Sequence, residues 1–347
     1  MRLLLLILLA ISLFSGCTPR EQQERTDGAS IAVFIPGVMA GSAIYEMLAD
    51  GARRAVDEFT AANPQDAPSL TVIEGGFNQA GWEGQVTTLA ASGLYDLIIS
   101  SNPSLPVIVS SVSQSFPKQK FLLLDGELSG NPNVYSLRYN QREQGFMAGY
   151  IAALVSMESW PGIRRVGLVA AQEYPALNNI ILPGFIDGAR AVDPSFELDF
   201  RVVGNWFDAA RAAELAAGMI RDGAMVLLPI AGGAGHGVIQ AAAESGAKVV
   251  WFDTDGYTIR PGTVVGSAIL RQDRGAYETT LAFLNGTLPF GRADIAGTAE
   301  GFVDFVDDDP HYISSVSQAV RERQAALSSR LRSGALRIDE SGRQTER

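Results

Sequence analysis

Cysteine and histidine are nearly missing from this chain of 347 residues, which has one of the first and two of the second. A lone Cys17 can close no internal disulfide, and His236 and His311 cannot build a histidine-rich metal centre, so no metal site is expected. Positive charge is also scarce. With 27 Lys plus Arg against 38 Asp plus Glu the net charge is −11, which leaves no basic footprint for nucleic acid or for an anionic membrane surface. No apolar run reaches the ~20 residues that span a bilayer. Only 19% of residues are charged and 47% are hydrophobic, the reverse of a disordered chain. No nucleophile sits beside a base in any recognisable spacing, so no catalytic residue and no enzymatic activity are expected. What remains is long enough for two domains at ~100–200 residues each.

The first positive feature is an address. Arg2 precedes Leu3–Phe14, an apolar run of 12 residues, which ends in Phe14-Ser15-Gly16-Cys17. That order matches a secretory signal with a short cationic start, and small residues directly before a cysteine resemble a bacterial lipobox. The expectation is cleavage after Gly16 and lipid on Cys17, with several acyl chains holding the chain to a membrane. Residues 17–30 then form a polar tether, and the globular body begins at Ile31.

Within the body, β-rich runs alternate with stretches of helical spacing. Ile31–Ile35, Leu70–Glu74, Leu97–Ser101 and Phe121–Asp125 read as strands in the first half. Arg165–Ala170, Glu197–Val203, Met225–Ile230, Lys248–Asp253 and Val264–Ala268 follow in the second. Between them Ile44–Ala61, Trp82–Ser92, Ser104–Ser115, Gln144–Met157, Asn178–Val192, Ala209–Gly223 and Gly237–Ser245 read as helices. Such alternation predicts an α/β fold of parallel sheets covered by helices on both faces. Nine strand–helix units exceed one sheet of ~5–6 strands and suit two doubly wound lobes, divided near Tyr139. The tail 328–347 has five Arg, three acidic residues and little apolar material, and is expected to fray.

In doubly wound sheets ligands bind beyond the carboxyl ends of the strands, so the strand-to-helix loops matter most. Pro36–Ser42 has glycine at Gly37 and Gly41, and Ser42 suits a helix N-cap. Gly75–Trp82 flanks Asn78 with Phe77 and Trp82, an odd composition for a core. Asn102 stands at a helix start, where capping and binding explain it equally. In the second half Asn205-Trp206-Phe207-Asp208 offers an aromatic, and Asp208 suits an N-cap. Ala231-Gly232-Gly233-Ala234-Gly235-His236-Gly237 offers backbone N–H groups at a helix start. Asp253 and Asp255 end the next strand, where one ionised carboxylate suffices to accept from ligand hydroxyls.

Taken together, the lipobox, Arg142-Glu143-Gln144-Gly145-Phe146, Trp206–Arg211, the glycine loop and Asp253-Thr254-Asp255 resemble the basic membrane protein family. These bacterial lipoproteins are substrate-binding components of ABC transporters, typified by purine-nucleoside receptors. The resemblance runs from about Ile31 to Ser328. It implies a type I periplasmic-binding-protein fold, two lobes joined by a three-pass hinge, with ligand enclosed between them. On that basis the N-terminal lobe comprises 31–139 plus about 258–297, and the C-terminal lobe 140–257 plus about 298–327.

By the same resemblance Trp206 packs on the ligand ring, Gly232 and Gly233 donate from the backbone, and Asp253 grips hydroxyls. The family's first loop carries Asp and then Phe-Asn; here Ile44 and Tyr45 stand at the latter positions and the Asp is absent, while Leu270 replaces a Lys. With Tyr45, Asn78 and Trp82 added, the site looks like the riboflavin-binding branch of the family. Tyr45 or Trp82 would sandwich an isoalloxazine against Trp206, Asn78 and Asn102 would meet its polar edge, and Arg142 and Asp253 its ribityl hydroxyls. Ser42 and Tyr174 complete the expected ligand-binding set. Riboflavin is the first expectation, as transported ligand and not as cofactor, and a purine nucleoside the alternative. An anchored hydrolase or an adhesin is the alternative of another class. An ABC permease, a membrane reached through Cys17 and a monomeric state complete the expected partners. The acidic balance favours unphosphorylated ligands.

Overall fold

A computed structural model describes residues 28–346. Cys17, the signal segment and nearly all of the tether lie outside the described residues. The chain runs β1 (Ser30–Ile35), α1 (Ala43–Ala62), β2 (Ser69–Glu74), α2 (Trp82–Ser92), β3 (Leu97–Ser101), α3 (Leu105–Ser115), β4 (Lys120–Leu124) and β5 (Val134–Tyr139). It continues through α4 (Gln141–Ser159), β6 (Arg165–Ala170), α5 (Leu182–Val192), β7 (Glu197–Val202), α6 (Ala209–Arg221), β8 (Val226–Ile230), α7 (Gly235–Ser245), β9 (Lys248–Asp253) and β10 (Val264–Leu270). It ends with α8 (Gln272–Leu284), β11 (Ala293–Ala296), β12 (Val303–Phe305), α9 (Pro310–Ser315), α10 (Gln318–Arg332), β13 (Leu336–Ile338) and β14 (Gln344–Glu346).

Two six-stranded sheets result, in the orders β11-β5-β4-β3-β1-β2 and β12-β10-β9-β8-β6-β7. All neighbours in the first are parallel, and in the second only β12 runs antiparallel, to β10. The strands that read as unbroken apolar runs are the doubly covered ones: every residue of β8 is buried, as is Ile31–Ile35 of β1. Helix α4 packs along α5 so closely that a Cβ on Gly149 would stand 1.8 Å from Phe185 O, and one on Gly188 2.0 Å from Phe146 O. Only glycine permits that approach.

The chain passes between lobes three times, at Tyr139–Gln141, Leu270–Gln272 and Ala296–Val303. Strand β10 pairs with β9 and so belongs to the second sheet. The boundary expected at residue 258 therefore moves to the end of β10, and only α8 and β11 return to the first lobe, α8 lying against α1. Strand β5 is absent from the sequence reading, because Ser136 and Arg138 interrupt its apolar pattern. Here the Ser136 hydroxyl accepts from Leu128 N, and Arg138 is paired with Glu127 and Glu340. The tail does not fray among the described residues. Helix α10 extends to Arg332 with Ser328 and Leu331 buried, and β13 and β14 form a hairpin that buries Leu336 and Ile338.

Candidate functional site

The carboxyl ends of both sheets border one cleft. On the first lobe, the loops after β1 and β2 are stitched by Gly75 N to Ile35 O (2.7 Å) and Gly76 N to Gly37 O (2.9 Å). Ser42 occupies the N-cap position of α1, but its hydroxyl makes no capping bond. One turn on, the Tyr45 hydroxyl donates to Pro36 O (3.0 Å) and accepts from Asn102 Nδ2 (3.2 Å). Asn102 is thus both things at once, since its Oδ1 takes the Ser104 N–H at 2.9 Å while its amide fixes the Tyr45 ring. Burial, with a smaller push from Asp125, raises the Tyr45 hydroxyl to about 12 even though Asn102 opposes it, so it is a neutral phenol.

On the second lobe Trp206 rests on the glycine loop. Ala234 N donates to Trp206 O (3.1 Å), and a Cβ on Gly232 would sit 3.3 Å from Trp206 Cε3. Gly232 also has φ +53°, a conformation that penalises any side chain. Tyr174 tilts against the same indole with ring centroids 6.3 Å apart. Trp206 is 36% exposed, so part of the indole remains open between these contacts. Asp208 caps α6 as expected, accepting from Arg211 N at 2.9 Å.

Asp253 closes β9 with φ +71°. Its Oδ1 accepts from Gln144 Nε2 (3.0 Å), and the same nitrogen donates to Ala268 O (3.0 Å). Two acceptors on one side force the amide's orientation and leave the buried Gln144 Oε1 unpartnered. Burial lifts the Asp253 carboxyl to about 6, with the Gln144 bond pulling the other way.

Opposite it, at the end of β4, stands Asp125, with φ +53°. Burial and then the charge of Asp253 push Asp125 up to about 8, and Arg138 offsets part of this. Burial and both carboxylates raise the Tyr174 hydroxyl as well, which places all three groups in one electrostatic neighbourhood. A cavity of about 440 Å³ opens beside Asp253, between α1 and the ends of β9 and β10, lined by Met47, Asp50, Arg54, Thr254, Asp255 and Arg271 among others. Asp125 escaped the sequence reading. The signal is an Asp-Gly pair directly after a strand, which does not stand out when Asp125 is read as the last strand residue.

Two expected ligand residues lie elsewhere. Trp82 is 4% exposed, packs in the core with Phe34, Val86 and Leu105, and donates its indole N–H to Gly76 O at 3.0 Å. Helix α2 starts with that face inward, so Trp82 shapes the loop but offers no ring to the cleft. Arg142 is 5% exposed and pairs with Asp187 on α5, next to Gly342 of the hairpin. Its neighbour Gln144, two residues along α4, reaches the cleft in its place. Asn78 stays on the exposed loop, its amide 3.8 Å from where a Cβ on Gly81 would be.

Residues 29–336 match the family described as ABC transporter substrate-binding protein PnrA-like. The chain belongs to that family. The Listeria monocytogenes protein named CD4+ T-cell-stimulating antigen is 25% identical over 178 residues, 50% of this chain and 48% of that one. The ABC transporter nucleoside-binding protein BmpA of Lactococcus lactis is 26% identical over 162 residues, 45% of this chain and 44% of that protein. The chain thus matches about half the length of these two relatives. Among solved structures, an ABC transporter solute-binding protein from Aeropyrum pernix superposes with a TM-score of 0.77 at 20% identity, covering 89% of this chain and 93% of that one. The fold is the two-lobed one of solute-binding proteins. Among the described residues no helix is long and apolar enough to cross a membrane.

Proposed function

We propose that this chain is the extracytoplasmic receptor of an ABC importer and that its cleft encloses an uncharged heteroaromatic ring carrying a hydroxylated arm. A purine nucleoside is the first ligand. The observation that carries the reading is the division of labour in the cleft: Trp206 on Gly232 supplies a flat apolar platform, the Asp253 carboxylate supplies acceptors for hydroxyls, and the Asp125 carboxyl, which keeps its proton, supplies a donor and an acceptor. The buried Asp253 carboxylate beside Asp125, whose own ionisation it already opposes, disfavours a further anion, which favours a nucleoside over its phosphate. The nucleoside-binding relative in Lactococcus lactis supports the same choice. A binding role, with no chemistry performed on the ligand, accords with the family.

Riboflavin is the second reading, now behind the nucleoside, because Trp82 is committed to the core and Arg142 to Asp187. The neutral Tyr45 phenol locked beside Asn102 still favours it, as a ring and an amide for a flavin edge. The receptor acts as a monomer, held at the membrane by lipid on Cys17, and hands its ligand to a permease.

Calorimetry of the full chain in detergent with inosine, guanosine, riboflavin and their phosphorylated forms tests the proposal. Saturable heat with a nucleoside and none with its phosphate is expected. Binding of riboflavin alone would promote the second reading, and silence from all of them would remove both. Mass spectrometry of the N-terminal peptide tests the lipid on Cys17.

A further inference from the structure

The C-terminal hairpin is built onto the hinge. Its strand β13 lies against α4 and α10. Ile338 O accepts from Asn140 Nδ2 (2.8 Å), on the first pass between lobes, and Ile338 N donates to Glu143 Oε1 (3.4 Å), at the start of α4. The other oxygen of Glu143 takes Thr298 N (2.8 Å), on the third pass. Asn140 N donates in turn to Ala296 O (2.9 Å), so the first and third passes and the hairpin share one hydrogen-bonded knot. Arg337 pairs with Glu300 (3.0 Å) just beyond. At the hairpin tip Glu340 pairs with Arg138 (2.8 Å), a residue of β5 in the first lobe. Helix α10, from which the hairpin springs, lies on α4 and β12 of the second lobe. One short segment therefore grips both lobes and ties the first and third passes together.

We propose that residues 334–346 form a strap across the hinge, positioned by Glu143, which favours the closed arrangement of the lobes and thereby raises ligand affinity. The physical reason is a population shift. A receptor binds tightly in proportion to the fraction of molecules already in the competent arrangement. Glu340, carried on α10 and the second lobe, meets Arg138 of the first lobe in the same arrangement in which Phe77 and Phe207 meet across the cleft. Each contact made only when closed lowers the closed state relative to the open one. Glu143 matters because it is 4% exposed, with both oxygens occupied by backbone N–H groups from separate segments. Removing its charge weakens both attachments together.

The test needs no ligand. With Cys17→Ser the chain has no native thiol, so Ala91→Cys and Glu244→Cys, both exposed and on opposite lobes, accept a pair of spin labels. Inter-lobe distance distributions are then compared for the full chain, for E340Q and for E143Q. E340Q removes one partly exposed charge and leaves the buried Leu336 and Ile338 in place, so it preserves folding. The expected result is a shift toward longer distances in both variants, larger in E143Q, with helical content and melting cooperativity of E340Q unchanged. Where inosine or riboflavin binds the full chain, its affinity should fall at least threefold in E340Q. Identical distance distributions in all three proteins would overturn the strap, whatever ligand the cleft proves to take.

Discussion

Phe77 and Phe207 meet edge-on across the mouth of the cleft, with ring centroids 6.0 Å apart and planes at 61°. One ring comes from the loop after β2 and the other from the loop after β7, so the contact joins the lobes far from the hinge. Both rings are otherwise open, at 74% and 67% exposed, and bury little in any other direction. Such a pair contributes about 0.5–1.5 kcal/mol. F77A should therefore speed ligand release by roughly twofold to tenfold, measured by stopped-flow fluorescence, with little change in melting temperature.

Trp206 and Trp82 should separate binding from stability. W206A removes the open platform and should weaken ligand binding by about 1–3 kcal/mol, the usual worth of a ring stacked on an aromatic. W82A empties a core position and should cost about 3–5 kcal/mol of stability, while the folded fraction keeps its affinity. Titration calorimetry and urea unfolding read the two effects independently.

The reach of the sequence is clearest at α4. Its existence and its apolar periodicity were legible, but its rotation about its own axis was not. Arg142 and Gln144 differ by ~200° around a helix, so choosing the wrong one reverses the site. The same limit applies to Trp82, whose side of α2 depends on which face meets β1 and β3. Asp253 and the glycine loop were legible because a strand end fixes the direction in which the next loop leaves the sheet. Asp125 was hidden by one residue of strand length. The tail misled because Leu331, Leu336 and Ile338 are few, yet each is buried.

Gln144 holds Asp253 and cannot be replaced by a side chain without a donor. Q144L leaves the Asp253 carboxylate and Ala268 O without the two N–H donors of one amide. An unmade bond at a buried group costs about 1–3 kcal/mol. The loss should appear in ligands with hydroxyls and not in the bare base or ring: inosine should lose affinity and hypoxanthine should not.

Asp125 predicts a pH dependence with a definite sign. Its carboxyl is raised from 3.8 to about 8, so between those values the folded protein holds a proton that the unfolded chain has released. The contribution to stability is then complete below pH 4 and declines from there until pH has climbed through 8. Asp253, raised to about 6, adds a smaller decline over pH 4–6. D125N removes the larger part. Its melting temperature should match that of the native chain near pH 4 and exceed it at pH 8, as scanning calorimetry would show.

Gly232 should tolerate no side chain. At φ +53° an alanine costs about 1–2 kcal/mol, and its Cβ would stand 3.2 Å from Trp206 O. G232A should lose both stability and affinity, the latter because the platform tilts.

The division of the first lobe into two stretches of chain sets an order of manufacture. Residues 30–139 emerge early, but the side of α1 that α8 covers stays bare until α8 is made, and β5 has no outer neighbour until β11 arrives. The second lobe's five parallel strands are all synthesised in the interval. The part begun first is therefore among the last completed, and a nascent chain halted before residue 272 presents the bare side of α1 to any chaperone or protease nearby.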